Sequence, residues 1–441
     1  MPLAPADGTR LGAALAMLAD MPHAGLQDAS RRRPFTDLIQ VCAEIFPDLV
    51  GRSYDGKPAL EDLRWALLHI LETTGVPTAG NAVAVGEYLN SVFERQSGFN
   101  LHLCPLDQAG DLPRLTFGPC QVRRFTEEEF ARAIQLPRLR RRYPSRNFDI
   151  SSYCRFDWLV VREPVVFGPT LATRSSPWRT LDFRMDRDFG AIQPFARRWP
   201  EIVERAVFAL LLLPWEDMVG HPEVDWRAFR IPWVYTVPGD PLDSLNVLRG
   251  TDTLTWVPDS QFDDATGELY ETEKPFDLPL KDDLQGDFSK ISDLRWAALE
   301  RAQSSEIFNP LVMHFLVRAF VSEGVDEFLG HITAVEAALG LASDFARARD
   351  RPKVDGDNPG STARIKQRVE AITADAGLAE AFEDLFRIRS AFVHGRPMNE
   401  IPSVARIRAR VLARQVVESL IQACAGSTGF SRDAFLAAFC A

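Results

Sequence analysis

Two arginines and a histidine stand at the end of one amphipathic segment, Phe386 to Gly395. At about 100° per residue, Arg387 and His394 point the same way on a helix, while Arg389 lies across the turn from them. The planar guanidinium of arginine suits phosphate oxygens, and a histidine can transfer a proton near neutral pH. Gly395 follows the histidine at once, as is typical where a helix ends. These residue types and spacings predict a phosphate-directed acid–base site near solvent.

The sequence around these residues resembles that of a known family. Arg389 to His394 resembles the Arg-x4-6-His motif of HEPN domains (higher eukaryotes and prokaryotes nucleotide-binding), in which a polar residue follows the arginine. Arg387 also satisfies the spacing, but the polar Ser390 favours Arg389. Upstream, the segment Ile332 to Gly340, with Glu336 at its centre, resembles the helix that precedes the motif in the Apea-like branch.

The resemblance covers about residues 290–425 and implies a metal-independent endoribonuclease that needs no cofactor. In that chemistry the ribose 2′-hydroxyl attacks the adjacent phosphorus and leaves a 2′,3′-cyclic phosphate and a 5′-hydroxyl. His394 would transfer the proton, and Arg389 would stabilise the charge on the phosphate. Two bundles would pair as a homodimer, so that two Arg/His sets line one RNA-binding groove. Four further residues would support the site or contact RNA: Glu336, Arg387, Ser390 and Arg396.

The chain as a whole resembles bacterial anti-phage defence or toxin effectors that join a mixed region to a C-terminal HEPN domain. We therefore expect residues 1–280 to recognise an unknown trigger or protein partner. The alternative is a non-catalytic HEPN module that binds RNA or a protein, with Arg389 tying helices together. Because Glu336 lies among apolar residues, we expect its carboxylate to be buried and paired with Arg387 or Arg389. Removing one partner of a buried ion pair costs about 3–5 kcal/mol.

Charge is distributed unevenly along the chain. The formal net charge of -11 argues against a protein that coats nucleic acid through its overall field. Between Arg347 and Arg414, however, there are 14 Lys and Arg against 9 Asp and Glu, a local balance of +5 that surrounds His394. These charges fit either an RNA-binding surface or solvated helix faces. A second basic run, Arg138 to Arg146, predicts a solvated loop.

Cysteine usage and hydropathy bear on the cellular setting. The six cysteines form no Cys-x-x-Cys pair and are scattered through the chain, which favours a reducing compartment. The longest apolar run, Ala206 to Leu213, is far shorter than the ~20 residues that span a bilayer. We therefore expect a cytoplasmic protein that has no membrane-inserted segment.

Hydrophobic periodicity divides the chain into three regions. Residues 1–110 carry apolar residues at three- and four-residue spacings and predict a helical N-terminal region. Residues 111–280 mix strand-like alternation with helices and predict a mixed α/β regulatory or recognition region. A linker rich in Asp, Glu, Pro and Gly is predicted near its end, at Pro258 to Pro279. Residues 285–441 predict a HEPN-like helical bundle. The predicted fold class is multidomain α+β, a mixed N-terminal region followed by an all-α, HEPN-type bundle.

Overall fold

A computed structural model describes residues 4–19, 30–52, 57–78, 80–175, 188, 190–263, 267–281, 288–347, 358–426, 429 and 431–439. The described chain begins with helices, continues through an antiparallel sheet with further helices and a hairpin, and ends in a second group of helices. Within these ranges, every helix is too short or too polar to cross a membrane. The predicted order of a mixed region before a helical bundle is confirmed.

The described residues of the N-terminal part form five helices: α1 (Pro5–Ala19), α2 (Arg33–Ile45), α3 (Pro47–Val50), α4 (Leu60–Thr74) and α5 (Ala82–Glu94). Their apolar sides face one another and bury a leucine-rich core that includes Leu15, Leu38, Leu67 and Leu89. The three- and four-residue spacing of these side chains is what makes each helix amphipathic. The helical region ends at Glu94 rather than at the predicted residue 110, because a strand begins three residues later.

The strands of the middle region are β1 (Ser97–Leu106), β2 (Gln108–Ala109), β3 (Leu115–Phe117), β4 (Cys120–Arg123), β5 (Asp157–Val166) and β6 (Tyr235–Val237). Five of them form an antiparallel sheet in the order β3-β4-β5-β1-β6. Successive side chains of a strand point to opposite faces. On β5, Leu159 and Val161 enter one core, whereas Trp158 and Val160 enter another. The centre of the sheet is therefore covered on both faces.

The helices of this region are α6 (Glu127–Ala133), α7 (Leu136–Arg142), α8 (Ile150–Tyr153), α9 (Leu171–Arg174), α10 (Glu201–Leu211) and α11 (Trp215–Met218). The basic run that begins at Arg138 lies partly in α7, so the prediction of a solvated loop is wrong there. Arg138 is buried, and Arg141 donates to the carbonyl oxygens of Glu72 and Thr73, each at 2.8 Å. Arg142 lies 2.6 Å from the Glu72 carboxylate. Arg141 thus binds free carbonyls at the end of α4, a role that basic side chains often have, while Arg138 donates to the carbonyl oxygens of Pro241 and Asp243.

The segment predicted to be a linker forms a β-hairpin instead. Its strands, β7 (Trp256–Asp263) and β8 (Glu268–Pro275), pair antiparallel along their full length. A short strand, β9 (Asp277–Leu278), then pairs in parallel with β2. None of the side chains described in β7 and β8 is buried. Both faces of this two-stranded hairpin are in contact with solvent, so acidic residues can occupy either face. The amino-acid composition of the hairpin therefore resembles that of a linker.

The C-terminal helices are α12 (Asp293–Gln303), α13 (Leu311–Val321), α14 (Gly324–Leu339), α15 (Ser361–Thr373), α16 (Ala376–Val393), α17 (Ser403–Gly426) and α18 (Arg432–Ala438). They do not have a core of their own. One continuous core joins Val161 of β5 and Phe208 of α10 to Val335 of α14 and Val416 of α17. The predicted boundary near residue 285 therefore marks a change of secondary structure, while the bundle covers one face of the sheet.

Two arginines, one buried and one half-buried, hold the end of α14. The guanidinium of Arg368 binds the Asp344 carboxylate with two nitrogens and donates to the carbonyl oxygen of Leu339 at 2.9 Å. Arg432 donates to the carbonyl oxygens of Ala337 and Ala338, at 2.7 and 2.8 Å. The last carbonyls of a helix have no partner within the helix, and these arginines supply partners. Part of the basic charge of this region is thus structural.

We expect Arg368→Ala to destabilise the bundle strongly. The change removes the two-nitrogen contact to the buried Asp344 carboxylate and leaves it only Arg364, whose Nε is 4.0 Å away; loss of a buried partner costs up to about 3–5 kcal/mol. Lys366→Ala is the matched control, because Lys366 lies on the same helix and its ion pair with Glu383, at 2.6 Å, is exposed. Urea unfolding followed by tryptophan fluorescence measures both variants. Equal loss of stability in the two variants would contradict the structural role assigned to Arg368.

Candidate functional site

The candidate site lies at the C-terminal end of α16. The helix begins at Asp375, whose side chain accepts hydrogen bonds from the backbone N–H groups of Gly377 and Leu378 at 2.8 and 3.2 Å. Leu385 is buried on its apolar side, as predicted, whereas Phe392 on the same stripe is 42% exposed. The last two turns of α16 therefore extend beyond the core that holds its beginning.

The end of α16 is closed by a Schellman motif. The N–H of Gly395 donates to the carbonyl oxygen of Phe392 at 3.0 Å, and the N–H of Arg396 donates to that of Ala391 at 2.9 Å. Gly395 has a φ of 62°, in the left-handed region that glycine adopts without steric cost. His394 is the residue between helix and turn, and its side chain is exposed. The backbone thus fixes the position of the His394 Cα, and the imidazole ring is exposed to solvent.

Arg389 is bound to Glu336 of α14. Its Nη2 lies 3.3 Å from the Glu336 Oε2, and its guanidinium carbon lies 5.5 Å from the centre of the Phe386 ring. The Arg389 side chain is 26% exposed and the Glu336 side chain 12%. The expected pairing of Glu336 with an arginine is present, and Arg389 rather than Arg387 is the partner. The Arg389 guanidinium is therefore held between two helices, with one side open to solvent.

Burial raises the pKa of the Glu336 carboxyl above its ordinary value, and the positive charge of Arg389 opposes this shift only in part. The ionised carboxylate is thus less favourable in the folded chain than in water. An ion pair that solvent reaches on the arginine side contributes less than a fully buried one. The 3–5 kcal/mol expected from the sequence for loss of a partner is therefore an upper bound for this pair.

The other residues predicted for the site lie on the solvent side. The Arg387 side chain is 71% exposed and makes one ion pair, 3.4 Å long, with Asp384. Arg396 is exposed, and Ser390 is half-buried. Within the described ranges, the imidazole of His394 has no hydrogen-bond partner. Arg387 and His394 are therefore both accessible, in keeping with their seven-residue separation.

Large apolar side chains are exposed around the turn that joins α16 to α17. They are Phe392 at 42%, Val393 at 51%, Met398 at 38% and Val404 at 63% exposure. We call these four residues the corner patch. Exposed apolar clusters on a protein surface often mark a contact with another molecule. His394 lies within this stretch of sequence, so a partner seated on the corner patch would approach the imidazole.

Three other histidines, His69, His102 and His331, are buried and have structural contacts. His69 Nδ1 lies 2.6 Å from the carbonyl oxygen of Leu242, and His102 Nε2 lies 3.1 Å from Glu163. His331 is fully buried, and burial together with neighbouring arginines lowers its pKa well below the ordinary value. No group of three or more His, Cys, Asp or Glu able to hold a metal ion occurs among the residues that the structure describes. His394 differs from these histidines in its exposure.

A second concentration of charge was not singled out from the sequence. Arg227 and Arg230 both bind Asp225, at 3.0 and 2.9 Å, and Arg230 also binds Glu323 at 2.7 Å. These residues lie where residues 225–232 meet the end of α13. The available sequence signal was the close spacing of one acidic and two basic residues among aromatic ones. That pattern indicates charges held against a core, but it does not identify their partners.

Comparisons with protein-family models, with curated proteins and with solved structures find no match to this chain. What the chain does is therefore inferred from its own residues and their geometry.

We expect Glu336→Gln to change how stability depends on pH. Because burial raises the pKa of Glu336, the wild-type chain loses stability as pH rises through the folded-state pKa of this carboxyl. Glutamine carries no charge, so the variant should match the wild type well below about pH 4 and become relatively more stable toward neutral pH. Thermal unfolding at a series of pH values measures the difference.

Glu380→Gln is the matched control for this comparison, because Glu380 is exposed on α16. A relative stability of Glu336→Gln that falls toward neutral pH would contradict the sign of the shift. It would mean that the ion pair with Arg389 outweighs the cost of burying the carboxylate.

Proposed function

We propose that this chain is a metal-independent endoribonuclease of HEPN type, with His394 and Arg389 as its catalytic residues. The observation that carries the proposal is the exposed imidazole of His394 at a helix end that is fixed by a Schellman motif, with two arginines in the preceding seven residues. Acid–base help from one well-placed side chain is worth about 10²–10⁴-fold. In this proposal the N-terminal regions recognise the trigger of a defence or toxin effector.

The reaction requires two proton transfers. His394 takes the proton of the ribose 2′-hydroxyl, the 2′-oxygen bonds to phosphorus, and the bond from phosphorus to the 5′-oxygen breaks. The 5′-oxygen must then receive a proton. One histidine per chain supplies one of these roles at a time, so the histidine of a second copy supplies the other. DNA has no 2′-hydroxyl and is not a substrate for this chemistry.

The two arginines have different surroundings and therefore different roles. Glu336 and Phe386 hold the Arg389 guanidinium in one orientation, which favours preorganised stabilisation of charge on the phosphate. Arg387 is mostly exposed, and its ion pair with Asp384 is long, so it can turn toward an RNA phosphate. Ser390 and Arg396 lie next to these groups and are proposed to contact RNA. Substituting Arg389 and Arg387 separately distinguishes stabilisation of the phosphate charge from RNA binding.

A second candidate function is a non-catalytic module that binds RNA or a protein. The ion pair between Arg389 and Glu336 favours it, because a guanidinium that ties α16 to α14 has a structural reason to exist. In that case Arg389→Ala lowers the thermal stability, and His394→Ala leaves RNA binding unchanged. An electrophoretic mobility shift assay measures RNA binding without cleavage, so it distinguishes a binding module from a ribonuclease.

The corner patch supports pairing of two bundles. Phe392 and Val393 are exposed immediately before His394, and Met398 and Val404 follow it. Covering these side chains with the same surface of another copy removes apolar area from water, at about 25 cal/mol per Å². A two-fold contact of this kind would bring two His394 residues to one groove. The proposed homodimer therefore accounts for both the exposed apolar surface and the second proton transfer.

We expect purified protein to cleave single-stranded RNA in EDTA and to leave 2′,3′-cyclic phosphate ends. His394→Ala and Arg389→Ala should each reduce the rate by at least about 10²-fold. Arg387→Ala should raise the RNA concentration needed for half-maximal rate more than it lowers the maximal rate. Gel assays with end-labelled RNA and analysis of the product ends measure these effects.

Two variants are matched controls for the cleavage assay. His221→Ala removes an exposed histidine, and Arg318→Ala removes an exposed arginine of α13; both should cleave as the wild type does. A requirement for divalent metal, or normal cleavage by His394→Ala, would make the proposed mechanism wrong. RNA binding without cleavage by the wild type would favour the second candidate.

We expect the chain to be a dimer at micromolar concentration and Val404→Glu to shift it to monomer. Val404 is 63% exposed in the first turn of α17, where an acidic residue is compatible with the helix, so the fold should persist. Val83→Glu is the matched control, because Val83 is 72% exposed in the first turn of α5 and lies outside the corner patch. Light scattering measures the mass. A wild-type monomer that cleaves RNA would remove the need for a dimer.

A further inference from the structure

A cavity of about 290 Å³ lies where the sheet meets the bundle. Asp107, which follows β1, lines one side, and Phe320 and Ser322 at the end of α13 line another. Arg198 and Arg230 reach it from the remaining chain. Its volume is near the lower end of the range of small-molecule sites. The residues proposed for RNA cleavage do not line this cavity.

The acidic groups of this cavity are already bound. The Asp107 carboxylate accepts hydrogen bonds from the backbone N–H and the hydroxyl of Thr255, at 2.9 and 2.8 Å. Glu323 lies 2.7 Å from Nη1 of Arg230. Both carboxylates therefore have partners within the protein, and neither is open to bind a cation from solvent.

Two arginines of the cavity differ in what they leave open to a ligand. Arg230 uses Nη1 for Glu323 and Nη2 for Asp225, while its Nε is buried and has no hydrogen-bond partner among the described residues. The Arg198 side chain is exposed, lies over the ring of Trp199 at 5.6 Å, and makes no ion pair within the described part of the chain. The Arg198 guanidinium is therefore open to an acceptor from a ligand, and Arg230 adds positive charge to the same cavity.

The wall beside these arginines is rigid and partly apolar. Arg227 donates to the carbonyl oxygens of Phe320, at 2.8 Å, and of Ser322, which fixes the end of α13 against residues 225–232. Ile231, Pro232 and Phe320 contribute apolar surface to the cavity. Small-molecule sites typically combine such a wall with a few well-placed polar groups.

We propose that this cavity binds a compact organic anion, with a phosphate or carboxylate group on an apolar body. The anionic group accepts hydrogen bonds from the exposed Arg198 guanidinium, beside the positive charge of Arg230. The apolar body lies against Phe320, Ile231 and Pro232. Arginine is suited to both anions, because its planar fork matches their oxygens. This site is independent of the proposed ribonuclease activity.

The test is isothermal titration calorimetry on the full-length protein with three probes. Phenyl phosphate and phenylacetate carry the two anionic groups, and benzyl alcohol carries the apolar body alone. Each is titrated to about 10 mM, which saturates a site with a Kd of about 1 mM or less. We expect at least one of the two anions to bind and benzyl alcohol not to bind. The anion that binds identifies the source of the charge.

We expect Arg198→Ala to weaken binding of that anion at least about tenfold, because a charge-assisted hydrogen bond is lost. Arg197→Ala is the matched control, since Arg197 is a neighbouring, half-exposed arginine that pairs with Glu201 at 3.0 Å. It should bind the probe as the wild type does. An unchanged thermal unfolding midpoint without ligand shows that both variants are folded.

Three results would overturn the proposal. They are equal binding of benzyl alcohol, unchanged binding of the anion to Arg198→Ala, and no binding of either anion over the whole titration. None of these measurements uses RNA cleavage, so their results do not depend on the outcome of the ribonuclease assay.

Discussion

The buried guanidinium of Arg410 is the contact on which the arrangement of the molecule depends. Its central carbon lies 3.7 Å from the centre of the Trp226 ring, and its Nη2 lies 2.8 Å from the Glu216 carboxylate. Arg414 binds the same carboxylate, and the fully buried Glu327 accepts a hydrogen bond from the indole of Trp226 at 2.7 Å. Leaving such a charge buried without its partner costs several kcal/mol. Because Glu216 and Trp226 lie outside the helical bundle, the bundle needs the preceding region in order to fold.

Helix α14 connects this charged network to both sites. Glu323 immediately precedes the helix at the edge of the cavity, Glu327 lies in the network, and Glu336 lies beneath Arg389. At 1.5 Å per residue, about 20 Å of helix separates the first of these carboxylates from the last. Arg368 and Arg432 hold the end of α14, so the helix is fixed at both ends. Any signal from the cavity to the candidate site would therefore act through the position of α14.

The sequence predicts the helices well, because each has an apolar stripe that must be buried. It also predicts the placement of Glu336 near an arginine, since a carboxylate among apolar side chains needs a cation. It does not predict where the strands of the sheet begin and end, because a strand that is buried on both faces has no alternation of apolar and polar residues. It does not predict the β7–β8 hairpin, because a strand that is solvated on both faces also lacks this alternation. The buried arginines are missed for a different reason. Arg138, Arg368 and Arg410 resemble solvated charges until their distant partners are known.

These partners also change the meaning of the basic segment around His394. In the described part of that segment, Arg364, Arg368, Arg410 and Arg414 are buried, and Lys366, Arg389 and Arg406 are in ion pairs. Exposed positive charge close to His394 in sequence comes from Arg387, Arg396 and Arg408, and Arg387 is itself paired with Asp384. RNA affinity depends on the number of phosphates that are neutralised. One chain presents few exposed positive charges close to the imidazole in sequence. Under the proposed function, pairing of two chains would double that charge at the groove, so the proposed RNA binding and the proposed second proton transfer would both use the dimer.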